Sequence, residues 1–164
     1  MEGVQINEVN GSENFAFRRY LKRHADPEKL DLQFLELHKE LFASYDCSKC
    51  RNCCREFCAC FREDELEQSA VALGMTADEF REKYLKYDKA EGKYCTNNVP
   101  CDFFDERECK LEGHKPEDCK KFPFTDQPDR IGSLLNIIDF STICPVVYEM
   151  LERLKEKYKF FSHR

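Results

Sequence analysis

Four thiols fall within eight residues in the run Cys47-Ser-Lys-Cys50-Arg-Asn-Cys53-Cys54. Thiolates are soft, anionic donors that suit zinc and iron–sulfur clusters. Two intervening residues let a turn of backbone bring neighbouring sulfurs to one side, as in the paired cysteines of many zinc sites. Cys47, Cys50 and Cys53 also reproduce the first part of the ferredoxin spacing, whose last cysteine precedes a proline. Here Cys144 precedes Pro145, but far along the chain. The adjacent pair Cys53-Cys54 adds a constraint. Neighbouring side chains diverge in regular backbone, so the two either serve two centres or edge one larger cluster.

Seven further cysteines stand at 58, 60, 95, 101, 109, 119 and 144, for a total of 11. Cys101, Cys109, Cys119 and Cys144 are separated by 7, 9 and 24 residues. This dispersed donation suits a folded domain wrapped around a centre better than a row of small fingers. It favours an iron–sulfur cluster, of which 4Fe-4S is one form, over zinc. A radical-SAM site is disfavoured because no triple has the C-x3-C-x2-C spacing. The odd cysteine count and the dense octet argue against a disulfide framework. Residues 1–30 hold no apolar leader, so the expectation is a cytoplasmic protein with reduced thiols and no membrane segment.

The elements that must position these thiols can be read along the chain. Its 164 residues suit one domain, with residues 1–25 as a polar N-terminal segment and 26–164 as the cysteine-cluster domain. The net charge of −6 argues against a general nucleic-acid surface. Residues 1–12 read as a loose polar terminus. Phe15 to His24 reads as a short helix whose basic residues form a solvated face. Asp26-Pro27-Glu28 is a helix start. The stripe Leu30, Phe34, Leu37, Leu41 then runs to Cys47 with His38 as a packed or half-exposed histidine.

An insertion of two helices is expected over about 62–88, the first closed by Gly74 and the second opened by the capping box Thr76-Ala-Asp-Glu79. Residues 88–100 read as loop. Pro100–Asp105 and Glu108–Leu111 read as a hairpin carrying Cys101 and Cys109. Arg130–Ser141 is rich in β-formers and is expected to add a strand. Cys144-Pro145 opens the last helix. The fold class is α+β, mostly α, with helices around a metal-binding cysteine cluster and a small β-hairpin or short sheet.

The octet, together with Pro100-Cys-Asp-Phe-Phe-Asp-Glu-Arg-Glu-Cys109 and Lys115-Pro-Glu-Asp-Cys-Lys-Lys-Phe-Pro-Phe124, resembles the CxxCxxCC cysteine-cluster family, described as zinc- or iron-chelating. The cluster is also similar to one in flagellin lysine-N-methylase, associated there with an iron–sulfur centre. The resemblance implies metal ligands at Cys47, Cys50, Cys53, Cys54, Cys101, Cys109, Cys119 and Cys144. The family's Arg-Pro appears here as Lys115-Pro116, its Cys-Arg as Cys119-Lys120, and its usual tyrosine as Glu112. Positive charge is kept near the thiolates, but the bidentate guanidinium is lost.

Cys58, Cys60 and Cys95 fall outside that set. They read as small buried residues or free thiols, with an accessory site including His114 as the alternative. His24 and His163 carry little information. No nucleotide-binding, P-loop, metalloprotease or nucleophile-elbow motif is present, so no catalytic residue can be named. The expected function is an iron–sulfur protein in electron transfer, or an accessory to a modification or maturation enzyme, with a protein partner. The alternative is a zinc-stabilised interaction module without catalysis.

Overall fold

The computed structural model describes residues 11–161. Residues 1–10 of the polar start, and His163, lie outside the described residues. Gly11 and Ser12, read as part of that loose start, open a helix that begins before the expected Phe15. The chain divides into two compact units. One combines the segment up to Asp46 with that from Pro123; the other is Cys47–Phe122.

The first unit is helical. It holds α1 (Gly11–His24), α2 (Pro27–Phe42), and, from the far end of the chain, α8 (Arg130–Ser141) and α9 (Pro145–Lys157). Asp26 caps α2 by accepting from the Lys29 amide at 2.9 Å, and Pro27 occupies the first turn. Phe17, Leu21, Leu30, Phe34, Leu41, Leu134, Ile137, Val147, Met150, Leu151 and Leu154 are buried in it. The expected strand over Arg130–Ser141 is instead α8. Its β-formers are spaced for a helix, because Leu134, Ile137, Ile138 and Ser141 are buried while Leu135 is exposed. Two carboxylates start it: Asp31 accepts from the Asp129 and Arg130 amides at 2.9 and 2.8 Å, and Asp129 accepts from the Gly132 amide at 3.2 Å.

His38 is half-buried on α2, with its Nδ1 2.9 Å from Thr125 Oγ1 and its ring 4.7 Å from that of Phe42. Burial holds its pKa below 6.5, against a smaller opposing pull from Asp126. The unfolded chain therefore binds more protons than the folded one just below 6.5. The contribution of neutral His38 is complete above that value and is lost as pH falls through the lowered folded pKa. Equilibrium unfolding at a series of pH values should show this decline, and His38→Gln should flatten it. An unchanged pH profile in that variant would remove His38 as its source.

The second unit holds the sheet. The short α3 (Cys47–Cys50) and α4 (Asn52–Glu56) precede β1 (Cys60–Phe61). A 3-10 turn at Glu63–Glu65 leads into α5 (Leu66–Val71), followed by α6 (Ala77–Tyr84), β2 (Leu85–Asp88), β3 (Lys93–Thr96) and α7 (Glu117–Lys121). The strand order is β1-β3-β2, all pairs antiparallel. The α+β, mostly α class holds.

Thr76 and Glu79 form the capping box, with Glu79 Oε2 accepting from the Thr76 amide at 2.8 Å and Thr76 Oγ1 from the Glu79 amide at 3.2 Å. Helix α6 ends at Tyr84 and not near Tyr87, because Leu85 opens a strand paired to Thr96. Residues 88–100 are likewise not all loop, since Lys93–Thr96 is the central strand. The expected hairpin is reduced to a bridge between Phe104 and Cys109, with the Lys110 amide donating to the Phe103 carbonyl at 2.8 Å. Phe61, Leu66, Phe80, Phe103 and Leu111 form the core beneath it.

Candidate metal centre

The octet folds as two short helical turns broken at Arg51. That residue takes a left-handed conformation, φ 57°, between α3 and α4. Such a φ is uncommon for a residue with a Cβ. It turns the chain so that Cys47 and Cys50 lie on one turn and Cys53 and Cys54 on the next. Arg51 is buried and donates to Glu112 Oε2 at 2.8 Å. Lys115 Nζ lies 2.9 Å from the same oxygen. A second tether is backbone: the Cys101 amide donates to the Cys54 carbonyl at 2.9 Å. The octet is thereby fastened to the segments carrying Cys101 and Cys109.

These tethers bring thiols together. Cys54, Cys101, Cys109 and Cys119 each lie within electrostatic range of the other three. Cys53 is within range of Cys47, Cys54 and Cys119. Cys50 shares α3 with Cys47. Cys144 belongs to the other compact unit, where it is buried at the entry to α9. Cys50, Cys53, Cys54, Cys101, Cys109 and Cys119 carry no disulfide.

The thiols perturb one another in the way a shared site requires. The Cys53–Cys54 hydrogen bond raises Cys53 and lowers Cys54 to about 6, where Arg51 and Lys115 add their positive charge. Burial, and then neighbouring thiolates, push Cys101 and Cys109 up, and push Cys119 up to about 12. Cys119 is nonetheless exposed to solvent, where a ligand can reach it. Several thiols that resist ionising together, beside two cations and without disulfides, fit a thiophilic metal group. The metal's charge replaces the protons and removes the mutual repulsion.

Sequence reasoning missed Arg51 and the part played by Glu112. Glu112, which stands where the family usually has a tyrosine, gathers Arg51 and Lys115 beside the thiols. Cys58, Cys60 and Cys95, read as buried or free thiols with an accessory site as the alternative, do converge. Cys60 and Cys95 form a disulfide across β1 and β3, against the expectation of reduced thiols, and Cys58 Sγ lies 3.9 Å from Cys60 Sγ. The three sulfurs lie within 4.8 Å of one another. His114 takes no part in this group; its carbonyl accepts from Ser69 Oγ at 2.8 Å.

No helix among the described residues is long and apolar enough to cross a membrane. No curated protein and no solved structure matches the chain. A family model, described as a putative zinc- or iron-chelating domain, matches residues 46–145. This span is more than half of the sequence, begins one residue before Cys47 and ends one residue after Cys144. The chain belongs to the CxxCxxCC family of zinc- or iron-chelating domains.

Proposed function

We propose that the chain binds an iron–sulfur cluster through the cysteines 47, 50, 53, 54, 101, 109 and 119 of Cys47–Phe122, Cys144 being counted with them by the family resemblance alone. The protein then carries electrons, or serves a modification or maturation enzyme as an accessory, through a protein partner in the reducing cytoplasm. The observation that supports this reading most is the gathering of thiols from separate segments of Cys47–Phe122: Cys54, Cys101, Cys109 and Cys119 each lie within electrostatic range of the other three. Such dispersed donation suits a multi-iron cluster, in which each thiolate binds a different iron. The charge-coupled quartet Cys54, Cys101, Cys109 and Cys119 is the set with the strongest claim to one centre.

Anaerobic purification followed by iron, zinc and acid-labile sulfide analysis tests this. Matching iron and sulfide, with visible absorption that bleaches on reduction, is the expected result. A colourless protein holding zinc and no sulfide would replace this reading with the zinc-stabilised interaction module. In that case the metal would supply folding free energy and the surface would meet the partner.

A further inference from the structure

The cysteines at 58, 60 and 95 lie outside the eight, yet the fold brings their three sulfurs within 4.8 Å of one another. Their convergence follows from strand geometry. Cys60 and Cys95 are directly opposite in the antiparallel pair β1–β3, with Cα atoms 4.1 Å apart. Directly opposed residues project from the same face of a sheet. The pairing continues one residue beyond β1: the Thr96 amide donates to the Ala59 carbonyl at 2.9 Å, and the Ala59 amide to Thr96 Oγ1 at 3.0 Å. In such extended backbone, side chains two apart share a face. Ala59 is therefore buried, while Cys58 joins Cys60 on the other side. Lys86 is paired with Cys95 across β2–β3, so its register places a positive charge on that same face.

We propose that Cys58, Cys60 and Cys95 form a second, three-thiolate site for one soft thiophilic ion, closed when Cys60 and Cys95 are joined as a disulfide and opened by its reduction. A dithiol reductant supplies the two electrons. Its own sulfurs become a disulfide, the Cys60–Cys95 bond breaks, and its two protons pass to the released sulfurs. The ion then displaces one proton from each of the three thiols and forms three metal–sulfur bonds. The exposed Cys58 gives the ion access from solvent to the buried Cys95. The site uses none of the eight cysteines above, so it does not depend on what they bind.

The test is cadmium titration of the full chain, stripped of metal anaerobically, against a competing chelator and followed by thiolate-to-cadmium absorption. After reduction by a dithiol that is then removed, the wild type should take up a single Cd2+ equivalent more than Cys58→Ser. The double variant C60S/C95S should lose that same equivalent. Wild type with the Cys60–Cys95 disulfide intact, verified by peptide mapping, should also lack it. Cys109→Ser should lower the remaining cadmium uptake without changing the difference, which separates this site from the larger one. Equal uptake by reduced wild type and Cys58→Ser would overturn the proposal. So would loss of the equivalent in Cys58→Ser but not in C60S/C95S.

Discussion

Cys54→Ser is expected to remove at least half of the bound metal and to destabilise the unit Cys47–Phe122 more than any other single thiol change. Cys54 is within range of Cys53, Cys101, Cys109 and Cys119. Serine keeps the backbone, and the anchor between the Cys101 amide and the Cys54 carbonyl does not involve the side chain. The variant therefore isolates the thiolate. Structural zinc in small peptides contributes roughly 10–16 kcal/mol of apparent binding energy at neutral pH. A domain's whole stability is about 5–15 kcal/mol. Losing even part of a metal's contribution therefore decides whether the unit stays folded. Metal and sulfide per chain, with circular dichroism on the same anaerobic sample, measure both effects. Cys50→Ser should lose less, because Cys50 lies outside the quartet. Full metal content in Cys54→Ser would end the assignment of that quartet.

How much of this was legible depended on the range of the interactions. Local signals survived folding. Asp26-Pro27 starts α2, Thr76 and Glu79 form their box, and Cys144-Pro145 opens α9, each decided within a few residues. The misreading of α8 arose from weighing residue type above spacing. Leu134, Ile137, Ile138 and Ser141 repeat at helical intervals, and the carboxylate of Asp31 that helps begin the helix comes from far along the sequence. A short sheet was expected, but its strands could not be placed, since β1 is two residues long and its partner lies 35 residues away. The candidate site divides the same way. The octet announced itself by spacing, whereas the left-handed turn at Arg51 and its link to Glu112 depend on a contact across 61 residues. The grouping of Cys58, Cys60 and Cys95 is legible only as an alternative reading, and the Cys60–Cys95 disulfide is not foreseen, because strand register unites them.

Phe80→Ala is expected to cost the same unit about 3–5 kcal/mol, the usual range for emptying a buried phenylalanine site. Phe80 is fully buried on α6, edge-on to Phe61 at 5.4 Å, stacked on Phe103 at 5.4 Å, and 5.9 Å from the Tyr84 ring. Three aromatic contacts vanish at once, and the surrounding rings, fixed by β1 and by the Cys101–Cys109 segment, have little freedom to collapse into the space. The loss reaches the thiols through Phe103. That residue is two positions from Cys101, and its carbonyl accepts from Lys110, the neighbour of Cys109. The metal-free protein should show the full drop in denaturation midpoint with an unchanged slope. The metal-loaded protein should resist unfolding better, because an ion that binds only the folded form adds stability by mass action. Phe80→Leu should recover most of the loss, since it refills much of the volume. Leu135→Ala, at an exposed position of the other unit, should stay within about 0.5 kcal/mol of wild type. An unshifted midpoint for Phe80→Ala would mean that this aromatic group does not hold the unit together, and the positioning of Cys101 and Cys109 would then have to come from the metal itself.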